Sequence, residues 1–413
     1  MNCLIWLALA LPVFVVAFGS TPAPDPRPAL AEIVRLESEL PSTGTTPDRV
    51  DALRKRIRDL AAKAVEGVDP AEVDLDRARL WGHLFVYADR AEQAVIAYER
   101  FLAKEPDPSD RFDVQLALVG LYASLGRGEP LRRTLLAIEP PTNLDRALVA
   151  SVAAAHADAI ADAVGEAVAA QTLDALGSRV AWNAFGTPSN ATVPAEQRQT
   201  AEGYRVNLTL AKAELINRMG NRDGAIAELD QGLLAIHEGS AARRLLQTRR
   251  TQLSLIGSRV PELTVERTLG DFAGVRSMRG SVVVLAFFAH WCEPCVRSLR
   301  ELKPLADDLG SQGLQVIGVT TFYGYFGQES AANRDMPKET EFARVGRLVG
   351  DIQVAWPTVF GPRDNFTAFA VSGIPHFVVV DRKGNIRQVQ VGFSPRSTAR
   401  LRRTVEDLLK EAL

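Results

Sequence analysis

The sequence predicts a chain of two kinds of structure: an α-helical N-terminal region over residues 29–256, followed by an α/β domain over residues 257–413. Three observations carry this. From Ala29 to about Arg249 the chain is rich in Ala, Leu, Arg and Glu and has few β-branched runs, the composition of helices. Around Gly257-Ser-Arg-Val-Pro261 the texture changes to short β-branched runs alternating with helical stretches, as in an α/β domain. At 413 residues the chain is also too long for one ordinary core. Its 46% hydrophobic and 24% charged content is that of a globular chain. A formal net charge of −2 carries no basic bias, so no nucleic-acid partner is expected.

At the N-terminus an apolar run of fifteen residues, Leu4–Phe18, precedes the small residues Gly19 and Ser20. A full membrane span needs roughly 20 residues, so residues 1–20 read as a signal peptide or, as the rival, an uncleaved membrane anchor. The absence of Lys and Arg before the run weakens the signal-peptide pattern. Either reading exports the rest of the chain, to the periplasm or an equivalent extracytoplasmic space. Cys3 precedes the apolar run, where a lipid-modified cysteine would follow it. Residues 21–28, Thr-Pro-Ala-Pro-Asp-Pro-Arg-Pro, form a Pro-rich linker.

The helical region is broken at Glu105–Ser109, Glu139–Thr142 and Gly186–Pro194. Within it, Ala91-Glu-Gln-Ala94-Val-Ile-Ala97-Tyr98-Glu-Arg-Phe101, closing with Pro106, resembles the second helix of a tetratricopeptide (TPR) repeat. Leu121–Gly126 and Met219–Ala225 have the same turn flavour. The spacings drift from the 34-residue period and no copy carries the full pattern, so a TPR-like array and an irregular helical bundle both stay open.

In the α/β domain, Ser281–Phe288 reads as a strand buried on both faces, Leu314–Val319 as a second and His376–Val380 as a third. The third leads through the turn sequence Asp381-Arg-Lys-Gly384-Asn385 into Ile386–Val391, which predicts a hairpin. An insert, Thr320–Thr358, holds a helix from about Lys338 to Leu348. Its Thr321-Phe-Tyr-Gly-Tyr-Phe-Gly327 stretch is either a mobile loop over the site or a loop packed on the domain. Ser397–Leu413 is an amphipathic terminal helix, with Leu401, Val405, Leu408 and Leu409 on one side.

The first strand runs into Ala289-His290-Trp291-Cys292-Glu293-Pro294-Cys295, and the periodicity of Val296, Leu299, Leu302 and Leu305 predicts a helix immediately after. Cys292 then falls at the helix N-terminus, where free N–H groups and the dipole stabilise a thiolate. Cys295 lies one turn in, near enough to close a disulfide and more buried. Pro294 suits the first turn, where its missing N–H has no intrahelical partner. The alternative, half of a zinc site, needs further paired Cys or His ligands that the chain lacks, so no metal and no cofactor are expected.

The strand–WCxxC–helix, followed by Gly373-Ile374-Pro375, resembles the thioredoxin superfamily. The Glu-Pro inside the motif, the central insert and the Asp381–Gly384 hairpin are similar to its exported TlpA/ResA-like branch. The resemblance covers roughly Pro261–Leu413 and implies a thioredoxin fold. It also implies that Pro375 is cis beside the disulfide and that Ile374 and Trp291 meet the substrate; Pro294, by its place in the first turn, and Glu293, by repelling a thiolate, are expected to tune the motif. Two positions depart from the family. Ala286 stands where thioredoxins carry a buried Asp six residues before the first cysteine, and Ser298 where the branch often has a Glu. Glu293 or Glu301 could substitute as proton acceptors. A copper site using His290 or His376 is disfavoured, because copper chaperones of this fold use a wider cysteine spacing. A peroxiredoxin-like peroxidase would need a Thr where Ala289 stands.

The leading expectation is an exported thiol–disulfide oxidoreductase acting on protein substrates, in the reductive direction and supplied by a membrane thiol electron donor. The alternatives are a peroxiredoxin-like peroxidase and a partner-binding helical scaffold with an accessory redox domain.

Overall fold

The computed structural model describes residues 23–39, 47–186, 193–238, 240–329 and 334–411. The expected signal or anchor, residues 1–20, lies outside them. Helices follow one another from Arg27 to Leu255: α1 (Arg27–Ser38), α2 (Pro47–Ala64), α3 (Ala78–Tyr87), α4 (Ala91–Leu102), α5 (Pro108–Ser124) and α6 (Gly128–Ala137). They continue as α7 (Asn143–Ala155), α8 (Ala157–Val164), α9 (Glu166–Ser178), α10 (Ala195–Arg218), α11 (Arg222–Leu234) and α12 (Ala241–Leu255). The first begins inside the Pro-rich stretch, because Pro28 sits in its first turn, where no N–H is missed. Among the described residues no single helix is long and apolar enough to cross a membrane.

The chain separates into two compact units. One runs to Val149 and includes Asp158–Gly165; the other comprises Ala150–Ala157 and everything described from Glu166 onward. In the first, α3 packs on α4, where Trp81, Leu84, Phe85, Tyr98 and Phe101 are buried, and α5 packs on α6. The turns joining these pairs end in the same way. The residue after the helix takes a left-handed conformation, Asp89 at φ 59° and Gly126 at φ 68°. The next N–H then reaches five residues back, Arg90 N–H to Phe85 O and Arg127 N–H to Tyr122 O, both at 2.8 Å. This is a Schellman closure, and it reverses the chain within a few residues. In the second unit α10 and α11 repeat it, with Gly220 at φ 83° and Asn221 N–H bonded to Ile216 O at 3.2 Å.

Close helix packing explains one glycine in particular. A Cβ on Gly82 of α3 would stand 2.3 Å from Tyr98 Cε1 of α4. Alanine would gain about 1 kcal/mol of helix propensity, but overpacking costs typically about 1–3 kcal/mol. At so short a distance the clash wins. Gly82→Ala is expected to destabilise the first unit by about 1–2 kcal/mol, read as a lower urea midpoint of its unfolding transition. An unchanged midpoint would mean that α3 and α4 have room to separate.

The second unit carries a six-stranded sheet: β1 (Arg267–Leu269), β2 (Val282–Phe287), β3 (Leu314–Thr320), β4 (Thr358–Phe360), β5 (His376–Val380) and β6 (Ile386–Val391). The spatial order is β1-β4-β3-β2-β5-β6. β2 pairs parallel to β3 and β3 parallel to β4, while β2–β5, β5–β6 and β1–β4 are antiparallel. The domain's helices are α13 (Glu293–Leu309), α14 (Lys338–Asp351), α15 (Arg363–Ala368) and α16 (Pro395–Lys410). β2 is buried on both faces, and its alternation separates two cores. Val282, Val284 and Ala286 join the core that contains the cysteines, α13, α14 and α16. Val283, Leu285 and Phe287 join the core on the other face, with Val378, Val380 and Phe369.

The helical part of this unit is fastened to the sheet. Arg249 of α12 donates to Val389 O at 3.3 Å, and the buried Gln252 donates to Ala370 O at 3.0 Å. Past α12, Gly257 N–H bonds Ile386 O at 2.7 Å and Val260 N–H bonds Gly384 O at 3.0 Å, so the connecting segment lies along the edge of β6. The terminal helix starts at Pro395, two residues before the expected Ser397, because Ser394 and Ser397 form a reciprocal capping box.

Candidate active site

β2 ends at Phe287, and the chain turns through Ala289, His290 and Trp291 into α13, with Cys292 as its N-cap. Cys292 and Cys295 form a disulfide with Cα atoms 5.2 Å apart. Cys295 is fully buried and Cys292 is 7% exposed, so Cys292 is the more accessible of two enclosed sulfurs. The Cys295 N–H bonds Cys292 O at 2.9 Å and also points at Cys292 Sγ from 3.3 Å, a first-turn donor lying where a thiolate would carry its charge. Pro294 lies in the first turn of α13 and removes no helical bond there.

Across the site the Ile374–Pro375 peptide is cis, and Ile374 O stands 3.8 Å from Cys292 Sγ. In the disulfide Cys292 has no proton to donate, so this is a contact; in the dithiol the same geometry would let a thiol donate weakly to that carbonyl. Pro375 O accepts from Gly392 N–H at 2.8 Å, which ties the cis-proline segment to the end of β6. Trp291 is 37% exposed and stands edge-on to Tyr323, with ring centroids 5.6 Å apart. Trp291, the disulfide and Ile374 thus lie side by side.

The acid positions are empty of acids. Ala286 is buried, and the Ser298 hydroxyl is spent on Cys295 O at 2.7 Å. Glu293 is exposed and paired with Arg297 at 2.5 Å, which offsets its charge, and Glu301 is exposed one turn beyond Ser298. Neither carboxylate lies in the core beside Cys295.

The sequence did not single out the carboxylate that is buried near the site. Glu341 of α14 is fully buried and accepts the Tyr323 N–H at 2.8 Å and the Gly324 N–H at 2.9 Å. His290, also buried, accepts the Gly327 N–H at Nδ1 (3.3 Å) and places Nε2 3.5 Å from Glu341 Oε1. Its ring stacks on Phe326 at 5.0 Å and meets Tyr323 and Tyr325 edge-on. The 321–327 stretch is therefore packed onto the domain, the second of the two expectations for it, and burial pushes the Tyr323 phenol up to about 12. A helix position such as Glu341 reads as surface in a sequence, so only its lone place in the apolar row with Val345 could have marked it. His376 points into the other core, edge-on to Phe287, and the structure does not bring it to the cysteines.

A family model described as Redoxin matches residues 255–408. The thiol-disulfide oxidoreductase ResA of Geobacillus kaustophilus is 23% identical over 138 residues, which are 33% of this chain and 70% of that protein. ResA of Bacillus subtilis is 24% identical over 137 residues, covering 33% and 67%. Among solved structures, a thiol-disulfide isomerase from Corynebacterium glutamicum is 22% identical with a TM-score of 0.31, covering 38% of this chain and 98% of its own. A thioredoxin family thiol:disulfide interchange protein from Chlorobium tepidum is 24% identical with a TM-score of 0.28, covering 37% and 97%.

The C-terminal domain matches the Redoxin family model and is similar to thiol–disulfide oxidoreductases of the thioredoxin superfamily. Within that superfamily it is ResA-like.

Proposed function

We propose that the chain is an exported thiol–disulfide reductase for protein substrates. The observation that carries this reading is the pairing of Cys292, at the N-terminus of α13, with the cis-proline segment that brings Ile374 O to 3.8 Å. In the reductive direction the Cys292 thiolate attacks one sulfur of a substrate disulfide, and the other substrate sulfur leaves as a thiolate. Cys295 then loses its proton and attacks Cys292, closing the Cys292–Cys295 disulfide and releasing the second substrate thiol. Two electrons pass to the substrate in all. The two protons it needs come from the dithiol and from solvent, since no carboxyl occupies the usual acceptor positions 286 and 298. A membrane thiol donor would reset the pair.

Export rests on the apolar segment at residues 4–18. The helical region would select or hold partner proteins, and the repeated Schellman-closed turns at Asp89, Gly126 and Gly220 favour a TPR-like array over an irregular bundle. The deciding measurement is the reduction potential of the Cys292–Cys295 pair in dithiothreitol or glutathione buffers. A value near that of thioredoxin, about −270 mV, is expected. A value near that of a strong oxidant, about −120 mV, would reverse the direction proposed here.

A further inference from the structure

The cost of burying Glu341 asks for a role. An ionised carboxyl loses its hydration on burial, and an apolar side chain at the same point of α14 would pack with no such loss. What compensates it is specific. Two successive backbone N–H groups of one loop, Tyr323 and Gly324, donate to its two oxygens at 2.8 and 2.9 Å. The same loop donates its Gly327 N–H to His290 Nδ1, which leaves the proton of a neutral ring on Nε2, the atom that faces Glu341. At 3.5 Å this last contact is longer than a hydrogen bond, and His290 Nε2 has no hydrogen-bond partner. The loop N–H groups therefore carry the hold, and His290 adds shape and an electrostatic contact. His290 belongs to the motif, two residues before Cys292, so the Gly327 N–H bond to its ring ties the aromatic loop to the redox turn while Glu341 ties the same loop to α14.

The result is an ordered wall. Tyr323 stands edge-on to the half-exposed Trp291, His290 is enclosed by Tyr323, Tyr325 and Phe326, and the Arg363 guanidinium lies 5.7 Å over the Tyr323 ring. It flanks Cys292 through its neighbour Trp291, with the cis-proline segment also against that sulfur. A polypeptide entering an exchange reaction must lie against these surfaces, whereas a small disulfide needs only the sulfur.

We propose that Glu341 is a positioning residue of the redox site: by holding the Tyr323 and Gly324 N–H groups it fixes an aromatic wall beside Trp291 that serves polypeptide disulfides and is dispensable for small ones. This rests on the oxidoreductase reading above. Glutamine at 341 keeps the size but places an amide N–H2 against one of two donors, so one loop N–H loses its acceptor.

The test compares full-length wild type and Glu341→Gln, reduced beforehand with dithiothreitol, on insulin and on glutathione disulfide. For the variant the KM for insulin is expected to rise about tenfold, the effect of roughly one net hydrogen bond. Its kcat on insulin, its rate with glutathione disulfide and its reduction potential should stay at wild-type values. Tyr323→Ala, which keeps the carboxylate and removes the ring beside Trp291, should raise the insulin KM similarly and answers the question if Glu341→Gln does not fold. An unchanged insulin KM in Tyr323→Ala overturns the proposal. So does an equal loss on both disulfides in Glu341→Gln, which would mean that the carboxylate acts on the thiols themselves. Wild-type protein inactive on both substrates would instead overturn the oxidoreductase reading, and this proposal with it.

Discussion

Cys292→Ser is expected to abolish thiol–disulfide exchange, and Cys295→Ser to turn the protein into a trap that accumulates mixed disulfides. The two outcomes differ because the sulfurs differ. Cys292 caps α13, receives the Cys295 N–H at 3.3 Å and retains 7% exposure, so it is the sulfur a substrate can meet and the one whose thiolate is stabilised. Without it no sulfur of the pair reaches the surface, since Cys295 is fully buried. Without Cys295 the attack still occurs, but nothing closes the internal disulfide, and the substrate stays attached through Cys292. Insulin-reduction assays should place both variants at background turnover. Mass spectrometry under non-reducing conditions should find adducts only on Cys295→Ser. Adducts on Cys292→Ser in place of Cys295→Ser would exchange the roles of the two cysteines, and turnover in either variant would remove the pair from the mechanism.

How much of this was legible in the sequence depends on how local each signal is. β2, β3, β5 and β6 stand out as β-branched runs, and the WCxxC motif marks the strand-to-helix junction because its chemistry is compressed into four residues. β1 and β4 are three residues long, too short for alternation to register, and they exist only because β4 finds β3 and β1 finds β4. Glu341 escaped for a related reason. Its partners are backbone N–H groups 17 and 18 residues earlier, and a backbone donor leaves no trace in side-chain spelling. The attachment of α12 to the sheet through Arg249 and Gln252 was equally invisible, since both look like solvent-facing residues of a polar helix. Tertiary bonds of this kind decide which polar residues of a helix are buried, and they lie beyond periodicity.

His376 gives the largest expected dependence of stability on pH. It follows Pro375 directly and opens β5, where it is fully buried between Phe287 of β2 and the neighbourhood of Phe369. Neither ring nitrogen makes a hydrogen bond of acceptable geometry, although the Phe369 backbone lies near enough to ease a charge slightly. Burial first, and the Arg249 guanidinium second, push its pKa down from the ordinary 6.5 to about 4. Between those values the unfolded chain binds a proton that the folded chain refuses, so stability falls as the pH drops through this window and levels off below it. Going from pH 7.5 to 4.5, this one group should remove about 2–3 kcal/mol. The comparison to make is urea unfolding of wild type and His376→Leu at both pH values, with the unfolding of the second unit followed separately. Other titrating groups act on both proteins alike, so the gap between them isolates His376. That gap is expected to move by about 2–3 kcal/mol in favour of the leucine variant at the lower pH, and a gap independent of pH would mean that the protonated ring finds a partner in the folded state.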